Sequence, residues 1–336
     1  MKKTQNILIS RTDSIGDVIL TLPIAGILKQ KFPEAKIYFL GKTYTKPIIE
    51  CANHIDEFIN WSDLEILPIN EQINLIKNYN IDTIIHVFPN KEIALLAKKA
   101  GIKTRIGTSH RVFHWTTCNK PVSFSRKKSD LHEAQLNCKL LKPLGIKQDF
   151  SITQLSDFLS FQSNENLKPE FSRLLDPKRK NIILHTKSKG SAREWGLDNF
   201  KALIEILNPD QYQVFLSGTE EEGQLFRDRL LGPANVIDIS GKMSLGQFIS
   251  FIAASDALIA ASTGPLHIAA ALGKAALGIY PPIRPMHPGR WKPIGPKADY
   301  VVADKECSDC RNGSTCHCML ELGPELIKAK LDKLIN

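Results

Sequence analysis

Nowhere does the chain hold the run of about 20 nearly uncharged residues that a helix needs to cross a bilayer. Its most apolar stretch, Phe248 to Ile283, is broken by Asp256, His267, Lys274 and several Gly and Pro, and reads as buried protein interior. An export signal is lacking as well. Met1-Lys2-Lys3 has the charge of a signal n-region, but Arg11 and Asp13 interrupt the apolar residues behind it. Seven cysteines, an odd number, offer no disulfide framework and point to a reducing cytosol. No repeat with a period of tens of residues and no low-complexity tract is present, which excludes solenoids and biased linkers. The first strand-like run is not followed by G-x-G-x-x-G, which counts against a nicotinamide-dependent oxidoreductase. Gly41-Lys42-Thr43 imitates the end of a P-loop, but Lys36 stands where that motif needs its first glycine.

What is present is the composition of an ordinary globular protein, with 43% apolar and 24% charged residues. At 336 residues the chain suits two domains of about 150 residues each. Lys and Arg outnumber Asp and Glu by 44 to 35, a net charge of +9. Such an excess favours an anionic partner, whether nucleic acid, phosphorylated substrate or acidic lipid surface.

Short apolar runs alternate with amphipathic stretches, the rhythm of a parallel sheet covered by helices. Asn6 to Ser10, Lys36 to Gly41, Thr83 to Phe88 and Arg105 to Gly107 read as strands. Leu22 to Phe32 has helical spacing and is stopped by Pro33. The segment Ser151 to Lys180 is polar and poorly patterned, so an interdomain linker is expected in its later part, between domains spanning 1–165 and 172–336. A second series follows, with strands in NIILH, QVFLSG, VIDISG, ALIAAS and AALGIY and helices near Asp198 to Leu207 and Ser244 to Ala254. The expected fold class is therefore α/β, two Rossmann-like domains with parallel sheets facing a central cleft.

Open parallel sheets bind ligands beyond the carboxyl ends of their strands. Asp17, in ISRTDSIGDVIL, lies just past such an end and is placed to act as a general base toward a hydroxyl. The plainer alternative is that it caps the helix that follows. Gly16 fits either, since it permits close backbone approach. In ASTGPLHIAAALG, Thr263 and Gly264 offer N–H groups at the start of a small-residue helix with Pro265 in its first turn, an anion site. His267 on that helix is equally explained as a structural histidine. Lys187, Lys189 and Arg193 crowd a strand-to-helix loop and suit a diphosphate, although a bare charge run is ordinarily solvated. Glu220, after a strand and Gly218, suits ribose hydroxyls, although three successive glutamates also simply begin a wet helix.

ISRTDSIGDVILTLPIAGILKQKFPEAKI, HEAQLNCKLLKPLGI, KGSAREWGLDNFKALIEIL and GKMSLGQFISFIAASDALIAASTGPLHIAAALG together resemble, over nearly the whole chain, the bacterial heptosyltransferases of glycosyltransferase family nine. The resemblance implies a GT-B fold. It also implies transfer of heptose from ADP-heptose to the lipopolysaccharide inner core, with inversion and with no cofactor or obligatory metal. Residue by residue, it gives Asp17 the part of general base. Arg193 and Lys187 would face the diphosphate, with Thr263, Gly264 and His267 beside it. Glu220 would bind the ribose and Met243 would lie near the adenine. Gly16, Arg105 and Arg111 would meet the acceptor. One position departs: where the family usually reads D-T-G, this chain has Ser262-Thr263-Gly264. That puts the donor sugar in doubt more than the fold.

Lys103, Arg105, Arg111, Lys120, Arg126, Lys127 and Lys128 suit an anionic lipid-linked oligosaccharide at the cytoplasmic face of the inner membrane, or are solvated surface charge. Cys307, Cys310, Cys316, His317 and Cys318 have zinc-ligand chemistry, but the gap between the pairs is tighter than in common zinc modules, and no metal is expected. A different nucleotide-sugar donor and a catalytically weakened nucleotide-binding scaffold are the competing readings. Nucleic-acid binding lacks any recognisable module.

Overall fold

The computed structural model describes residues 5–305, 307 and 316–336. The chain divides into two compact units, Met1–Phe161 and Gln162–Asn336. Each is built on a six-stranded, wholly parallel sheet. The first contains β1 (Asn6–Ser10), β2 (Lys36–Gly41), β3 (Glu57–Asn60), β4 (Thr83–His86), β5 (Thr104–Thr108) and β6 (Lys120–Val122), in the order β3-β2-β1-β4-β5-β6. The second contains β7 (Lys180–His185), β8 (Tyr212–Ser217), β9 (Val236–Asp238), β10 (Ala257–Ala261), β11 (Ala275–Tyr280) and β12 (Ala298–Val302), in the order β12-β11-β10-β7-β8-β9. Both orders are the doubly wound arrangement, in which the chain starts mid-sheet and winds first one way, then the other.

The central strands are the apolar runs, because a strand covered by helices on both faces must be apolar at successive positions. Ile7, Leu8 and Ile9 of β1 and Leu258, Ile259 and Ala260 of β10 are all buried. The helix Pro23–Lys31 buries Ile24, Ala25, Ile27 and Leu28 and ends at Phe32, one residue before the proline. It lies so close to the end of the first unit that a Cβ on Gly26 would stand 2.4 Å from the carbonyl oxygen of Phe158. Only glycine permits that approach.

The second unit begins earlier than the polar composition suggests. Ser163 Oγ lies 2.8 Å from Ser250 Oγ, the Lys168 N–H donates to Gln247 at 3.0 Å, and Gln247 Nε2 donates to Glu165 at 2.8 Å. These bonds tie the segment after Phe161 to the helix Leu245–Ala254. Cys316 and Cys318 are buried in the apolar core of the second unit, with Cys307 packed against it. Cys310 lies outside the described residues, among which no cluster of three or more metal-binding side chains occurs. None of the described helices is long and apolar enough to cross a membrane.

Candidate active site

In a doubly wound sheet, neighbouring crossovers leave to opposite faces at the point where strand order reverses, and a crevice opens beyond the strand ends there. In the first unit that point lies between β1 and β4, paired through Ser10 and His86. In the second it lies between β10 and β7, paired through Ala260 and His185.

The loop leaving β1 carries Arg11, Asp13, Ser14, Gly16 and Asp17. Ser14 occupies the cap position of the short helix Ile15–Ile19, and Asp17 sits in its first turn, so Asp17 is not the cap. Its carboxylate is held instead by side chains: Ser14 Oγ donates to Oδ2 at 2.5 Å and Arg11 Nη2 donates to Oδ1. Arg11 is buried and shared. Its Nε and Nη2 donate to the two oxygens of Asp13 at 2.7 and 2.9 Å, and Nη1 reaches Glu133 Oε1 and Asn137 Oδ1, both at 3.3 Å. Arg126 approaches the same pair, with Nε 3.0 Å from Glu133 and Nη2 2.9 Å from Asn137. Glu133 and Asn137 are four residues apart on the helix Glu133–Cys138 and therefore share one face.

Three carboxylates thus face two guanidiniums, leaving the cluster one negative charge in excess. Glu133 is sealed in, its side chain 1% exposed, while that of Asp17 is 18% exposed. The excess charge can be relieved by a proton at Asp17, the carboxylate on the helix turn beyond β1. Burial pushes the Asp17 carboxyl above its ordinary range, and the negative charges of Asp13 and Glu133 add to that, against the opposing pull of Arg11 and Ser14. A carboxylate made more basic in this way is suited to accept a proton.

Gly16 is buried in the same turn, beside Asp17. Arg111 precedes the helix Val112–Thr117 at the carboxyl end of β5 and is exposed, so it shares a sheet edge with Asp17. Arg105 does not. It stands at the start of β5, where its Nε donates to the Thr117 carbonyl at 2.6 Å and its Nη1 to the Ile102 carbonyl. The carbonyls at the opposite end of the sheet occupy this guanidinium, so the structure separates Arg105 from the other acceptor candidates.

In the second unit the loops after β7 and β10 are neighbours. Thr263 precedes the helix Gly264–Ala271, with Pro265 in the first turn, and its Oγ1 is buried without a hydrogen-bond partner. Thr186, at the end of β7, likewise buries an unpartnered Oγ1. A buried hydroxyl with no partner costs about 1–3 kcal/mol, so two of them at adjacent strand ends mark places where a polar ligand would restore lost bonds. Lys187 Nζ donates to Glu194 Oε2 at 2.5 Å, and Glu194 Oε1 accepts from the Ser188 N–H at 2.9 Å. Arg193 is half-buried in the same loop. His267 is buried on the first turn of Gly264–Ala271. Ser262 follows β10 directly, and the buried phenol of Tyr280 on the neighbouring β11 donates its O–H to the Trp291 carbonyl at 2.7 Å.

The three glutamates after β8 divide their work. Glu222 closes a capping box with Thr219, accepting from its N–H at 2.9 Å. Glu221 is exposed and lies 3.6 Å from Lys189. Glu220 accepts two bonds from Arg227, at 2.6 and 2.7 Å, and this pairing holds its carboxyl below the usual range. Gly241, with φ +68°, abuts the backbone of Glu220, which brings the Gly241–Met243 loop alongside it.

Sequence reading missed the partners of Asp17, Arg11 and Ser14, and the groups that Arg11 binds in turn, Asp13, Glu133 and Asn137. The signal was there, in an Arg and an Asp straight after a buried strand and in the four-residue spacing of HEAQLN.

The model of glycosyltransferase family 9 (heptosyltransferase) matches residues 72–319. A putative glycosyltransferase of Haemophilus influenzae is 28% identical over 301 residues, covering 86% of each chain. Lipopolysaccharide heptosyltransferase 3 of Escherichia coli is 23% identical over 278 residues, covering 79% of each. Among solved structures, E. coli ADP-heptose lipopolysaccharide heptosyltransferase II superposes with a TM-score of 0.74 at 18% identity, over 99% of this chain and 98% of that one. An E. coli heptosyltransferase solved with ADP gives 0.71 at 17%, over 98% and 100%. The two doubly wound units are thus those of the GT-B fold, and the chain belongs to glycosyltransferase family 9, the heptosyltransferase family.

Proposed function

We propose that this glycosyltransferase moves a heptose, or a closely related sugar, from an ADP-sugar to a hydroxyl of the lipopolysaccharide inner core, with inversion and without a metal. The observation that carries the reading is the Asp17 cluster, a carboxylate made basic by burial and held at the switch point of the first sheet.

Asp17 would take the proton of the acceptor hydroxyl as its oxygen attacks the anomeric carbon. The bond from that carbon to the diphosphate oxygen then breaks, and the leaving diphosphate keeps the electron pair. The proton stays on Asp17 and neutralises the excess charge of the cluster. Growing charge on the diphosphate would be met by N–H groups and the hydroxyl at Thr263 and Gly264, beside His267, and by Lys187 and Arg193. Lys187 would have to exchange Glu194 for phosphate. Glu220 would offer the ribose the carboxylate lone pairs that Arg227 leaves unused, with the main chain at Met243 near the adenine. Gly16 and Arg111 would lie along the acceptor, an anionic lipid-linked oligosaccharide at the cytoplasmic face of the inner membrane.

A second donor sugar is favoured by one observation. Ser262, in the place where relatives are expected to carry an acid, brings no charge to the donor. Calorimetric titration with ADP, UDP, GDP, CMP and NAD under one salt condition tests the reading. Selective ADP binding supports it, preference for another nucleotide moves the donor while keeping the reaction, and no binding replaces it with the scaffold reading.

A further inference from the structure

We propose that the β5–β6 edge of the first unit is a membrane-docking surface, with the exposed face of the helix Val112–Thr117 seated among the headgroups of an anionic bilayer. This surface accords with the lipid-linked acceptor proposed above, on which it rests only for its purpose.

Two large apolar side chains lie bare there. Val112 is 71% exposed and Trp115 is 68% exposed, and their three-residue spacing puts them on one side of the helix. The indole is fixed in place, its Nε1 donating to the Ser109 carbonyl at 2.7 Å. Around them the charge is of one sign. From Ile93 to Ser129 the chain has nine Lys and Arg and not one Asp or Glu, a local excess equal to the net charge of the whole protein, +9. Arg105 and Arg126 are engaged within the unit, but Lys98, Lys99, Arg111, Lys120, Lys127 and Lys128 are exposed. They come from the end of the helix Lys91–Lys99, the residue before Val112, β6 and the loop after it. β6 is the terminal strand and β5 its neighbour, and these cations flank the two strands, Arg111, Lys127 and Lys128 beyond their carboxyl ends and Lys98, Lys99 and Lys120 toward their amino ends.

This combination matches a lipid surface better than a nucleic acid. Polybasic edges bind anionic headgroups, and tryptophan settles at the boundary between headgroups and acyl chains, where its ring is buried and its N–H stays bonded. An exposed valine gains nothing from a phosphate backbone but loses its contact with water on entering the acyl boundary.

The test is binding of the full-length protein to extruded vesicles of phosphatidylglycerol and phosphatidylethanolamine, against vesicles of phosphatidylcholine, with no glycolipid or nucleotide present. The expected result is binding to the anionic vesicles alone, weakened at least tenfold by raising the salt from 0.05 to 0.5 M. Trp115→Ala should weaken it about tenfold and Lys127→Glu with Lys128→Glu at least as much, with unchanged thermal melts, since these side chains are exposed. Brominated acyl chains should quench the emission lost in Trp115→Ala, since Trp61 and Trp195 are buried and Trp291 is half-buried in the second unit. Absence of binding to anionic vesicles overturns the proposal. So does binding without bromine quenching, or unaffected by Trp115→Ala, and stronger binding to single-stranded RNA would assign the edge to a polyanion instead. These outcomes do not depend on sugar transfer, which the nucleotide titration judges separately.

Discussion

Replacing Asp13 with Asn removes one of the three carboxylates around Arg11 without touching Asp17. Asp13 Oδ2 and Asp17 Oδ1 accept from the same Nη2, which puts the two oxygens about 5 Å apart, given hydrogen bonds of roughly 2.5–3 Å. Two unit charges at that distance repel by about 3 kcal/mol at an effective dielectric constant of about 20, equivalent to about two pKa units. Water at the partly exposed rim reduces this, so a shift of about one unit is expected. The sign follows from the structure. Asp13 raises the Asp17 carboxyl, so its loss lowers it. With Asp17 as the proposed base, activity requires it ionised and falls as pH drops through its pKa. The acid limb of the kcat/KM profile should therefore move down by about one pH unit in Asp13→Asn, while the plateau falls because the base is weaker. Asp17→Asn should lower kcat by about 10²- to 10⁴-fold with little change in nucleotide affinity. An acid limb that stays put or moves upward in folded Asp13→Asn protein would refute the charge-excess argument.

Thr263→Val should leave the melting temperature of the nucleotide-free protein unchanged or higher, since the buried Oγ1 has no partner to lose, while weakening ADP binding about five- to tenfold by calorimetry. His86, buried between strands with neither ring nitrogen bonded, has its pKa pushed down to about 3, chiefly by burial. The unfolded chain binds a proton at this residue below about pH 6.5 and the folded chain does not, so stability falls with pH between about 6.5 and 3 by up to about 1.4 kcal/mol per unit. His86→Phe should flatten that slope in urea titrations at pH 7, 5.5 and 4.5, and an unchanged slope would exclude His86 as its source. Gly26→Ala should cost about 1–3 kcal/mol in urea titration, because its Cβ would overlap the Phe158 carbonyl.

The interior of both sheets was legible in the sequence because strands covered on both faces must be apolar throughout; β1, β2 and β11 run as their apolar stretches do. Of the four edge strands, β9 was legible in VIDISG, but β3, β6 and β12 were not. With one partner and one open side, Glu57-Phe-Ile-Asn, Lys120-Pro-Val and Ala298-Asp-Tyr-Val-Val carry polar residues or proline and mimic loops. The site divides in the same way. The place of Asp17, Thr263 and Gly264 beyond strand ends was legible, because strand ends are local. Ser14 and Arg11, which hold Asp17, are local, but what orients Arg11 is not: Glu133 and Asn137 come from more than a hundred residues away and reach it only once β1 and the helix Glu133–Cys138 have packed. Arg105 shows the converse error, since charge was visible in the sequence but the end of the strand it occupies was not weighed. A charge within a parallel strand should therefore be judged by its distance from the carboxyl end. Arg105, second of five residues in β5, serves carbonyls, while Arg111, three residues beyond that strand, is exposed at the edge where Asp17 lies.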